Sequence, residues 1–143
     1  KDTALYDMWQ AGKYPEHSVE DAVKVCAKLL PMFKAANIPV IRLGLNPTEE
    51  LSGGAAAAGA YHPALGELVK SRIMYEKACE LLKNVESGSK VILSVHSSKV
   101  SQMTGQHRAN IEALCKEYCL AELKIKGNAE NPEEISVLSV EKQ

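Results

Sequence analysis

Between Ile38 and Leu45 the sequence reads "IPVIRLGL", and nothing similar occurs before residue 90. The stretch is rich in β-branched residues, which predicts a strand buried on at least one face. A lone strand leaves a row of unpaired backbone donors and acceptors along each edge. The residues before it read as helices. Thr3 is placed to cap a short helix over 3–11, with Leu5, Met8 and Trp9 apolar and Gly12 at its end. Ser18 and Asp21 have the spacing of a capping box. Val19, Ala22, Val23, Cys26, Leu29, Leu30 and Phe33 then keep the helical period, and Pro31 predicts a kink or the end of regular helix. Two helices and one strand cannot form a sheet. The strand needs neighbours, from later in the chain or from another chain.

The next segment, "NPTEELSGGAAAAGAYHP", has an alanine run in which flanking glycines oppose a helical turn. Pro63 suits a first helical turn, where its missing N–H costs nothing. Leu65, Leu68, Val69, Ile73, Met74, Ala78, Leu81 and Leu82 mark a long amphipathic helix to about 84. A strand is predicted over 90–95, a short helix around Val100 and Met103, a break at Gly105, and a helix through Ala109, Ile111, Leu114, Cys115 and Tyr118. "AELKIKG" alternates like a half-exposed strand, and "ISVLSV" closes the chain as another. The expected fold class is α+β. Its parts are 1–45, a Gly/Ala connector over 46–61, and 62–143, with 46–60 expected to be poorly ordered or repacked.

Net charge narrows the function classes. The 143 residues sum to −1, which points to neither nucleic acid nor membrane. No apolar run approaches the roughly 20 residues that span a bilayer. The chain opens "KDTALYDMWQ" with no charged-then-apolar leader, as a processed chain or a fragment would. Four cysteines, at 26, 79, 115 and 119, read as reduced thiols of a cytoplasmic protein, packed as small hydrophobes. A metal site using Cys115 and Cys119 is the sharper alternative.

The familiar catalytic signatures are missing: G-x-S-x-G, the P-loop, H-E-x-x-H and G-x-G-x-x-G. His17 reads as a solvated turn residue. His62 reads as a helix cap or packing residue, with a cleft-lining role as the alternative. Glu67 and Arg72 read as surface charges or as site groups. Arg42 interrupts an apolar strand: on a sheet edge it is unremarkable, but inside a barrel it would need an anion or a carboxylate. Residues 83–127 carry seven basic and four acidic side chains, +3, and residues 128–143 one lysine and four acids, −3. Within the basic part, "VSQMTGQHRANI" is similar to the helix–G-x-x-G–helix of the KH module, which clamps a single-stranded backbone. Here the loop is Gly105-Gln106-His107-Arg108, with arginine at the second glycine position. Either it is a solvated turn in a packing unit, or Lys99, Gln106, His107 and Arg108 meet phosphates.

"TALYDMWQAGKY", "VIRLGL" and "AGAYHPALGELVKSR", in that order, carry a wider resemblance over about 3–84. The sequence resembles the C-terminal part of radical SAM enzymes of the elongator-catalytic-subunit type, and more closely the clostridial relatives labelled oxygen-independent coproporphyrinogen III oxidase. The resemblance implies the end of a partial (β/α) barrel, with 38–45 as its last strand. It implies a parent radical SAM oxidoreductase or tRNA-modifying enzyme that binds a [4Fe–4S] cluster and S-adenosylmethionine. Arg42, Leu43 and Asn46 would then lie near that cofactor. Tyr61, His62 and Pro63 match the family's aromatic-His-Pro signature, with Glu67 and Arg72 on the helix it opens. No cluster-binding cysteine triplet occurs, so this chain is expected to hold no cofactor, to be catalytically incomplete, and to shape substrate access. Its expected partners are an N-terminal barrel of the same protein, tRNA if the KH-like part binds RNA, and a second copy pairing through the orphan strand. No membrane partner is expected.

Overall fold

A computed structural model describes residues 3–46, 48–54 and 57–142, apart from the side chains of 50 and 52. The chain forms two compact units, 1–69 and 70–143, which divide inside a helix.

In the first unit, α1 (Ala4–Gln10) starts where Thr3 Oγ1 accepts the Tyr6 N–H at 3.2 Å. α2 (Val19–Ala35) starts on a complete capping box. Ser18 Oγ accepts the Asp21 N–H at 3.0 Å, and the Asp21 carboxylate accepts the Ser18 N–H at 3.3 Å. Such a cap stabilises a helix by about 1 kcal/mol. Hydrogen bonds from Ser18 also hold the Asp21 carboxyl below its ordinary value. Pro31 does not end the helix, which runs on to Ala35. One missing N–H is outweighed here by the turns on either side. α3 (Glu49–Ser52) is a single turn capped by Thr48, so part of the connector is helical. Ala55 and Ala56, half of the alanine run that the glycines were expected to keep from forming a helical turn, lie outside the described residues.

The strand expected over 38–45 does not form. Those residues carry no ladder, and Ile41 is 98% exposed. Among the described residues the three strands all lie between residues 90 and 141 and pair with one another. β-branched composition supplies a preference for extended backbone but no partner, and a strand exists only as part of a ladder.

The second unit is α+β as expected. α4 (Leu65–Leu82) enters it at Lys70 and is followed by β1 (Lys90–Val95), α5 (Val100–Thr104), α6 (Ala109–Glu117), β2 (Glu122–Lys126) and β3 (Ile135–Glu141). The sheet order is β2-β1-β3, with β1 parallel to β2 and antiparallel to β3. Parallel neighbours need a crossover, which α5 and α6 provide. Ile92 faces Ser139 while Leu93 faces Val137, so Leu138 is the extra residue of a bulge. Met74, Ala78 and Leu82 place one face of α4 in the core, against Val91, Leu93 and Val95 of β1. Met103 of α5 and Ile111 and Leu114 of α6 complete it. Each fully buried large side chain contributes about 1.5–3 kcal/mol. Among the described residues no helix is long and apolar enough to cross a membrane.

Candidate functional site

Two of the stretches that carry the sequence resemblance meet in the first unit. A Cβ built on Gly44 would lie 3.0 Å from Leu65 Cδ2 and 3.1 Å from Leu65 Cβ. One built on Gly66 would lie 3.7 Å from Leu43 Cβ. The backbone at 43–44 therefore runs directly against the first turn of α4. Gly44 adopts φ +83, which an L side chain takes only with strain. Leu43 is half-buried by this contact, while Arg42 and Asn46 on either side are exposed.

The Tyr-His-Pro signature sets where α4 begins. His62 Nδ1 accepts the Ala64 N–H at 3.1 Å, and its carbonyl accepts the Leu65 N–H at 3.2 Å. His62 thus serves as a cap, one of the roles its position suggested. Tyr61 donates its N–H to the Gly59 carbonyl at 2.9 Å and is half-buried, whereas Pro63 is exposed. Glu67 is exposed in the first turn of α4, where a carboxylate complements the helix dipole. Arg72, in the second unit, pairs with Glu76 at 2.8 Å and lies 5.4 Å from the centre of the Tyr75 ring. These are local partners one turn of α4 away or less.

A cleft of about 360 Å³ opens in the first unit between α1, the turn at 14–17 and the backbone of Ala57 to Ala60. Its walls include the rings of Tyr6, Trp9 and Tyr14, with Glu16 and His17 beside them. Gly59 N–H donates to Glu16 Oε1 at 3.1 Å, tying the connector to the turn across 43 residues. The Tyr6 and Trp9 ring centroids are 5.8 Å apart and tilted by 42°, and Tyr6 Oη accepts from Gln10 Nε2 at 3.1 Å. His17 lines the cleft, although the sequence made it a solvated turn residue; it is also exposed. Sequence reasoning missed the site as a whole. A usable signal was present: three of the chain's seven aromatic residues fall between positions 6 and 14.

In the second unit, Gln106, His107 and Arg108 form an exposed 3-10 turn between α5 and α6, and Lys99 is half-buried on the turn before α5. His107 and Arg108 are both left-handed, at φ +51 and +66. Two consecutive non-glycine residues in that region cost about 1–2 kcal/mol each. Asn110 holds the turn from beneath. Its Nδ2 donates within 3.0–3.2 Å of Ser71 Oγ and of the carbonyls of Ser71, Gln102 and Met103.

The cysteines are less buried than expected. Cys26, Cys79 and Cys115 are half-buried and Cys119 is exposed. Cys119 lies just past α6 at φ +50, which turns it out of the face that Cys115 occupies. Burial pushes the Cys115 thiol up, away from the thiolate that binds metals. Nearby, burial raises Tyr75 first and its hydrogen bond to the Glu117 carboxylate adds to the effect. Tyr118 is pushed up to about 12, first by burial and then by the neighbouring Cys79 thiol; its hydroxyl donates to the Cys79 carbonyl at 3.2 Å. Among the described residues no three His, Cys, Asp or Glu side chains gather as a ligand set.

Residues 1–75 match the Radical_SAM C-terminal domain. The chain belongs to that family, and the match spans the whole first unit and the start of the second. No curated protein and no solved structure matches. Membership implies a parent enzyme that uses S-adenosylmethionine and an iron–sulfur cluster. The cysteines described here do not fit as that cluster's ligands: three lie on three different helices and the fourth faces solvent.

Proposed function

We propose that this chain is the C-terminal part of a radical SAM enzyme of the elongator-like or coproporphyrinogen III oxidase-like type, and that it completes the barrel and shapes substrate access. The supporting observation is the state of 38–45. Leu43 and Gly44 are anchored on α4, yet Ile38, Ile41 and Leu45 are 51%, 98% and 64% exposed. An apolar segment whose path is anchored and whose edges are open is suited to accept neighbouring strands. α2 adds to this reading, with Val25, Leu29, Met32 and Phe33 49%, 41%, 64% and 41% exposed. The neighbours would be barrel strands contributed by the same protein, together with the cluster cysteines. Arg42 and Asn46, exposed beside the anchor, would then border the cofactor or substrate.

Amide exchange tests this reading. In the isolated chain the amides of 40–45 should exchange near the unprotected rate. Within the complete enzyme they should be slowed by about a hundredfold or more, as strand amides in a sheet are. Equal exchange in both would overturn the barrel role.

A second reading, single-stranded RNA binding by the second unit, rests on the exposed, left-handed turn carrying His107 and Arg108, because such strain gathers at functional positions. Titration with tRNA at low salt should show saturable binding that weakens at least threefold in R108A, with the loss shrinking as salt is added. Flat curves for both proteins would refute it.

A further inference from the structure

We propose that the cleft of the first unit binds a small alkylated ammonium ion. This goes beyond completion of a barrel, because it gives the same unit a ligand of its own. The cleft volume, about 360 Å³, lies at the lower end of the range for small-molecule sites. It has ample room for a trimethylammonium head with a tail.

The chemistry of the walls selects the charge. Tyr6, Trp9 and Tyr14 bring three aromatic rings to one cleft. The face of each ring is electron-rich and attracts a cation without holding a tight hydration shell. Tyr6 and Trp9 are tilted by 42° rather than stacked, so neither ring face is consumed by the other. Glu16 supplies a carboxylate beside them. Its Oε1 accepts the Gly59 N–H at 3.1 Å, which orients the carboxylate. Ala57, Ala58, Gly59 and Ala60 also line the cleft, and residues this small let an alkylated head approach closely. An ammonium bearing hydrogens would need an acceptor for each N–H. A quaternary one needs only rings, methyl contacts and a nearby negative charge. An anion is opposed by Glu16. A flat neutral ring finds no parallel slot between Tyr6 and Trp9, which are tilted by 42°.

Trp9 is the only tryptophan in the chain, so its emission reports on the cleft directly. Choline is the probe, and 3,3-dimethylbutan-1-ol is its neutral isostere of nearly equal shape. Choline should change Trp9 emission saturably, and the neutral isostere should bind about tenfold more weakly, the margin expected when rings and a carboxylate read charge. E16Q should weaken choline about fivefold, since its amide oxygen can still accept the Gly59 N–H and keep the wall in place. Y14L, at an exposed ring, should weaken choline while leaving the circular dichroism of the chain unchanged. Equal affinity for the two probes would make the cleft a plain apolar groove and overturn the proposal. No saturable change with choline, or unchanged affinity in both variants, would overturn it too.

Discussion

Replacing Asn110 with alanine is expected to destabilise the second unit by about 3 kcal/mol, as the sum of two or three lost hydrogen bonds and the carbonyls they leave unpaired. The side chain does more than one residue normally does. Gln102 and Met103 lie in the last turn of α5, whose carbonyls have no donors within the helix. Asn110 reaches back from α6 and donates to both, at 3.2 and 3.1 Å. The same nitrogen meets Ser71 Oγ at 3.0 Å and the Ser71 carbonyl at 3.2 Å. Two hydrogens are therefore shared among four acceptors on α4 and α5, and α6 is locked to both. Gly105 makes this possible. At φ +76 its backbone passes so close that a Cβ there would sit 3.0 Å from the Asn110 backbone nitrogen and 3.1 Å from its side-chain Cγ. Urea unfolding monitored through the amide signals of residues 90–126 would measure the loss. N110D should be at least as damaging, because a carboxylate turned toward carbonyls offers no donor. A loss below about 1 kcal/mol in N110A would mean that solvent already satisfies those carbonyls.

That arrangement also shows where sequence reasoning stops. Thr3, Ser18 and Asp21 were legible as caps because each partner lies three residues away. The second unit was legible because β1, β2 and the helices between them keep their periodicities, and Gly105 breaks the pattern where it should. Asn110 was not legible, since its acceptors come from positions 71, 102 and 103. Nor was the bond between Gly59 and Glu16, 43 residues apart, on which the cleft depends. The segment 38–45 failed for the opposite reason. Its composition describes a surface suited to a sheet, and composition is silent about whether a partner strand is present. Burial of the cysteines was inferred from residue type alone, and the left-handed turn after α6 exposes Cys119.

Substituting Gly44 by alanine should cost the first unit about 2–4 kcal/mol, through left-handed strain and overpacking together. The first contribution is conformational, since φ is +83 and a Cβ in that region costs about 1–2 kcal/mol. The second is steric. The new methyl would meet Leu65 at 3.0 and 3.1 Å, and Leu65 is 5% exposed with no open side to move toward. One of those contacts is to Leu65 Cβ, which shifts only if the start of α4 shifts. Gly66 is the matched control. Its added methyl would meet Leu43 at 3.7 Å, an ordinary contact, and alanine favours the helix by up to about 1 kcal/mol. G66A should therefore be neutral or stabilising while G44A is damaging, although the two glycines belong to the same junction. Thermal unfolding of both variants makes the comparison. Equal effects would mean that the 43–44 backbone does not rest on α4 in solution. In that case the exposed edges of 38–45 would have no fixed orientation, and the proposed barrel role would lose the anchor it depends on.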